Sequence, residues 1–137
     1  MSRSKIKPSE KALEEILGEA SWLLSHADAL NAYGRPEEAQ AELLRAANCE
    51  EKAAYWLDAL NREPEAVVHR VSAASCYEQL GQYARAVTLL RAVLSASLTE
   101  DFRQRIMQQL AHSLARANRD MKQCLPRAKR PPVAVNY

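Results

Sequence analysis

Apolar residues recur at Leu13, Ile16, Leu17, Ala20, Leu23, Leu24, Ala27 and Leu30, the spacing that lays one apolar stripe along a helix. Ser9 stands ahead of that stripe as an N-cap with Glu10 in the first turn, and Gly34 is expected to stop the helix. Pro36, Glu37 and Glu38 then suit the opening turn of a second helix, PEEAQAELLRAANCEEKAAYWLDALN, which meets no strong breaker before about Asn61. Pro64 opens a third helix that ends at Gly81, and a fourth is expected from about Tyr83 to Ala96. Ser97 and Glu100 have capping-box spacing for a fifth, from about Leu98 to Asn118. From Met121 the segment MKQCLPRAKRPPVAVNY loses the helical period. The pattern predicts an all-α domain over residues 9–121, with residues 1–8 as a disordered N-terminus and 122–137 as an extended, basic, proline-containing tail.

Composition agrees with that class. Among 137 residues there are 3 glycines, and Ala, Leu, Glu, Arg and Gln, all strong helix formers, dominate. No stretch alternates as a strand would, and none of the prolines interrupts a periodic segment. The net charge of +2 conceals an asymmetry. Residues 1–66 hold 8 Lys/Arg against 13 Asp/Glu, and residues 67–137 hold 11 against 4. A molecule so polarised can meet an anionic partner with its C-terminal half or stack on copies of itself. Cys49, Cys76 and Cys124 share no short spacing of the kind a disulfide framework or zinc site needs. MSRSKIKPSEK has no apolar run behind its basic residues, as a secretory signal would require, and no segment approaches the roughly 20 apolar residues of a membrane span. A cytoplasmic protein without membrane attachment is expected.

One pattern repeats. Around Gly81, Ala74, Tyr77 and Ala86 lie at offsets −7, −4 and +5; around Gly34 the same offsets hold Ala27, Leu30 and Ala39. Around Asn118 they hold Ala111 and Leu114, and asparagine is the commonest substitute for glycine where a left-handed residue ends a helix. Small residues on either side of a chain reversal let two helices approach closely. Ala74, Tyr77, Gly81, Tyr83 and Ala86, with Ala27, Gly34 and Ala39 before them and Met107, Leu110, Ala111 and Leu114 after, resemble the tetratricopeptide repeat family. The resemblance implies antiparallel helix pairs stacked as a short α-solenoid. The corner residues, however, are separated by 47 and 37 positions, against a family repeat of 34. The first gap calls either for one long second helix, the arrangement expected, or for a short additional helix over Glu50–Leu60.

The resemblance also implies a concave face built from the first helix of each pair. In this chain it would present Ser21, Leu24, Asp28 and Asn31, then Val68, Val71, Ser75 and Glu78, then Arg105, Gln108, His112 and Ala115. Family members that clamp a terminal carboxylate use Lys and Asn at positions held here by Leu24, Asp28, Val71 and Ser75, so that clamp is absent. An apolar floor of Leu24, Val68 and Val71 with polar edges suits an amphipathic helix or extended peptide. Trp22, Tyr55 and Trp56 are candidate exposed aromatics of the kind enriched at interfaces.

No nucleophile–base signature and no glycine-rich phosphate loop occurs, so neither an enzyme nor a cofactor is expected. His26, His69 and His112 fall outside the repeat frame and have no Asp, Glu or His at i+3 or i+4, so they are expected to be ordinary surface or groove residues rather than metal ligands. The expected function is a protein-interaction module, an adaptor, assembly factor or chaperone-like partner. A subunit that touches nucleic acid through Lys122, Arg127, Lys129, Arg130 and the basic half is the alternative.

Overall fold

The computed structural model describes residues 8–124, which form five α-helices and no strand. They are α1 (Glu10–Ala32), α2 (Pro36–Ala59), α3 (Glu63–Gln79), α4 (Tyr83–Leu94) and α5 (Glu100–Cys124). The expectations for residues 1–7 and 125–137 lie outside the described residues. Ser9 caps α1 as its type suggests, its Oγ accepting from the Ala12 N–H at 3.0 Å. The stretch before Asn61 is one long helix, with no break at Glu50–Leu60.

Three corners share one geometry. Gly34, Asn61 and Gly81 have φ of 74°, 60° and 74°, the left-handed region. In each, the next residue's N–H donates to a carbonyl five positions back: Arg35 to Leu30 at 2.9 Å, Arg62 to Leu57 at 2.8 Å, Gln82 to Tyr77 at 2.8 Å. The corner residues themselves donate to Asn31, Asp58 and Glu78. These paired bonds satisfy the carbonyls that a helix end leaves unpaired. The carbonyl of that next residue then accepts the first bond of the following helix, from Ala39, Ala66 and Ala86. Three residues between helices therefore reverse the chain.

Asn61 is thus a corner that the sequence pattern had passed over. It carries the full set of offsets, Ala54, Leu57 and Ala66, and all nine residues at these offsets around the three corners are buried. The long gap between Gly34 and Gly81 holds two helices and an intervening corner, so the pattern marks every tight reversal rather than one per helix pair. Asn118 is not a corner. It lies inside α5, which runs on to Cys124, with Ala111 exposed and Leu114 half-buried. The half-unit built on Asn118 is corrected accordingly. The start of α5 also shifts: Thr99, not Ser97, caps it, with the Phe102 N–H reaching Thr99 Oγ1 at 3.3 Å. Arg103 bridges back across that connection and donates to the Leu94 and Ala96 carbonyls at 3.1 and 3.3 Å.

Extensive packing runs between sequence neighbours, α1 on α2, α2 on α3, α3 on α4 and α4 on α5. Side chains link alternate helices. Arg62, ahead of α3, pairs with Glu10 of α1 at 3.1 Å; Gln109 of α5 donates to Ser75 Oγ of α3 at 3.5 Å and also to Glu78; Arg85 of α4 faces Glu51 of α2 at 3.7 Å. The antiparallel pairs therefore stack as a solenoid-like row, with α1, α3 and α5 in one layer and α2 and α4 in the other. One core runs from Ala27 and Leu30 through Tyr77 and Leu90 to Ile106, and a second joins Leu13 and Ile16 to Ala53, Ala54, Leu57 and Ala66.

Two substitutions test this account. Asn61→Ala places a Cβ-bearing residue without a local polar contact at φ 60° and is expected to cost about 1–2 kcal/mol in urea unfolding, whereas Asn61→Gly leaves stability unchanged or raises it. Ser113 on α5 is fully buried and its Oγ has no hydrogen-bond partner, so Ser113→Ala is expected to raise stability by about 1 kcal/mol in the same assay.

Candidate binding face of α1, α3 and α5

The layer of α1, α3 and α5 carries the residues expected to form a binding face. On α1, Asp28 and Asn31 are exposed and Leu24 is half-buried against the main core. On α3, Val71, Ser75 and Glu78 are half-buried, whereas Val68 projects with 59% of its surface exposed. Val68 and Val67 border a hollow of about 180 Å³ closed by Pro64, Leu98 and Phe102, where the start of α3 meets the α4–α5 connection. The Ser97 N–H donates to Glu63 Oε1 at 3.2 Å beside it. The hollow is mainly apolar, with Ser97 and Thr99 at its edge.

On α5, Arg105, Gln108 and His112 are exposed. The residue that reaches α3 is Gln109, through Ser75 and Glu78. His112 sits edge-on to Tyr83 of α4, ring centroids 6.3 Å apart, and Arg116 lies over the same ring. The frame on Asn118 placed this helix one position away from its actual contacts. Of the basic residues, Lys122 belongs to the last turn of α5, while Arg127, Lys129 and Arg130 lie outside the described residues.

Among the aromatics, Trp22 is exposed and stacks on His26 at 4.6 Å between centroids. Tyr55 is exposed; its neighbour Trp56 is half-buried against the second core, with Lys52 Nζ 4.8 Å from its ring. A larger concavity, about 500 Å³, lies where the C-terminal turns of α5 overhang the Gly81 corner, between Tyr83 and Ala84 on one side and Ala117 and Met121 on the other.

Two histidines expected to be ordinary surface residues have acidic partners on the next helix. His26 Nδ1 lies 2.5 Å from Glu42 Oε2, and His69 Nδ1 lies 2.5 Å from Glu50 Oε2. Neither pair is visible at helical spacing because the partners are 16 and 19 residues away in sequence. Glu50 is the one buried carboxylate of the described core. Its hydrogen bond raises the His69 pKa above the ordinary value, against the opposing effect of burial. Tyr77, fully buried, donates to Asn48 Oδ1 at 3.0 Å, and burial pushes its phenol well above the usual range. Burial likewise pushes the Cys76 thiol up to about 11, so Cys76 packs as a small apolar group.

Among the described residues, no group of three or more His, Cys, Asp or Glu side chains is placed to hold a metal ion, and no helix is long and apolar enough to cross a membrane. Comparison with protein-family models, with curated proteins and with solved structures gives no match.

The Glu50–His69 pair has a defined pH signature. Because the folded state holds the His69 proton more tightly than the unfolded chain, its contribution is complete below the ordinary value of 6.5 and is lost as pH rises through the elevated folded-state value. The urea midpoint is expected to fall over that rise. His69→Gln removes this slope and lowers stability at pH 6 by about 3 kcal/mol, since Glu50 is left buried without its cation.

Proposed function

We propose that this chain is a non-catalytic protein-interaction module of the tetratricopeptide-repeat kind, an adaptor, assembly factor or chaperone-like protein of the cytoplasm. It receives a partner's amphipathic helix or extended peptide on the face of α1, α3 and α5. The observation that carries this proposal is Val68, an exposed branched apolar side chain at the edge of an apolar hollow in a layer of three aligned helices. An anchoring side chain of the partner fills the hollow against Phe102 and Leu98, and half-buried Val71 and Leu24 extend the apolar track. Asp28, Asn31, Ser75 and Glu78 supply hydrogen bonds at its edges and set the register of the bound segment. A floor without a carboxylate clamp selects for apolar spacing in the partner rather than for a terminal charge.

Affinity capture from native extract with the wild type, Val68→Glu and Val71→Glu tests the proposal, with Arg91→Ala on α4 as the control. The two glutamates are expected to reduce recovery of the wild-type partner at least about tenfold, the effect of losing about 1.4 kcal/mol, with helicity unchanged by circular dichroism. Recovery equal to wild type from both correctly folded variants overturns the proposal. Retention on heparin that falls steeply with salt would favour a nucleic-acid partner instead.

A further inference from the structure

The last helix of the row has a flank that the described residues leave partly uncovered. Met107, Leu114 and Met121 recur on α5 at a spacing of seven, and Leu110 and Ala111 fall between the first two, the repeat of a helix that pairs with another helix. Met107 and Met121 are 49% and 68% exposed, Ala111 is exposed, and Leu110 and Leu114 are half-buried. Met107 is two positions from Gln109, the side chain that reaches α3, so it lies on the far side of the helix from that contact. The seam therefore points away from the face proposed above for the partner segment.

Charge along this flank indicates the occupant. Beside the seam, Gln104, Gln108, Ala115 and Asn118 are all uncharged, and Arg103 is held back by the α4 carbonyls. The charges flanking the seam sit at opposite ends of the helix: Glu100 in its first turn and Lys122 in its last. A parallel pair of such helices would set like charges together at both ends. An antiparallel pair sets Glu100 of each copy beside Lys122 of the other, twice by symmetry, and opposes the two helix dipoles. It also brings Met107 of each copy onto Leu114 of the other, with the small Ala111 near the two-fold axis allowing close approach.

We propose that α5 is a self-association surface through which two copies of this chain form a two-fold antiparallel dimer, its seam centred between Met107 and Leu114. The dimer supplies a neighbour that no described residue provides at this end of the row, and it leaves the face of α1, α3 and α5 on each copy accessible. Methionine at both ends of the seam tolerates the curvature of two helices meeting without a dedicated groove.

Sedimentation equilibrium of the full chain tests this at about 100 µM, where a Kd of about 10 µM leaves most chains paired. The wild type is expected at about twice the chain mass of 15.4 kDa. Met107→Glu, an exposed substitution that leaves the fold intact, is expected to be monomeric. Lys122→Glu is expected to weaken pairing about threefold to tenfold, through two symmetric contacts, and Glu100→Lys combined with Lys122→Glu to restore it. A wild type that stays monomeric at this concentration overturns the proposal, whether residues 125–137 or a different protein occupies the seam. So does a dimer that Met107→Glu leaves intact, or a Lys122→Glu loss that the double exchange fails to repair.

Discussion

The left-handed residue at each helix corner is the constraint on which the rest of the molecule depends. Gly34, Asn61 and Gly81 reverse the chain within three residues, and so short a reversal forces the flanking helices to lie antiparallel in direct contact. Contact at that distance is possible only where side chains are small. Alanine stands seven positions before and five positions after each corner, at 3% exposure or less in all six cases. A large residue one turn before the reversal, Leu30, Leu57 or Tyr77, then fills the wedge where the helices diverge. Backbone conformation, side-chain size and core position are one requirement seen at three scales.

The second helix takes the largest share of that packing. It lies against α1 and α3 and faces α4 across Glu51, and Ala46, Ala47, Ala53 and Ala54 are all fully buried. A polar group on the packed face of such a helix needs a partner. The one that α2 buries, Glu50, has His69; half-buried Glu51 faces Arg85, and exposed Asn48 accepts from the Tyr77 hydroxyl. Arg85 also lies over the Tyr77 ring, 4.3 Å from its centroid, so the Asn48 and Glu51 contacts meet at one aromatic group. Alanine provides close approach, and the paired polar groups hold one rotational setting of α2 against the alternatives that a smooth alanine surface would allow.

At its two ends the row is incomplete in different ways. The first helix packs its stripe on α2 and carries an acidic outer surface, whereas α5 continues its apolar period past the Gly81 corner and around a second flank. A helix with an apolar surface wider than its neighbours can cover has unused capacity for another helix. That excess and the hollow beside Val68 are two outward-looking features among the described residues. They face different directions, so occupation of one does not require the other to be empty.

Local chemistry by itself determined that the described residues are all helical and placed the first four helices to within a few residues, while the sequence left open whether the stretch before Asn61 is one helix or two. Serine ahead of an apolar stripe, glycine after one and proline in a first turn act through bonds and dihedrals within a few residues, and such signals survive without tertiary context. The opposite fates of Asn61 and Asn118 show the limit. Both follow an apolar residue at −4 and an alanine at −7, yet one is left-handed and the other helical. The difference lies downstream: after Asn61 a complete apolar stripe, Ala66, Val67, Ala73 and Ala74, has a core to enter, whereas the turns after Asn118 extend past the ends of α3 and α4. The same dependence on distant partners hid the Glu50–His69 pair and the contacts of Gln109. Only the packed row decided these, because an asparagine's conformation and a buried charge's partner are set by what the rest of the chain places beside them.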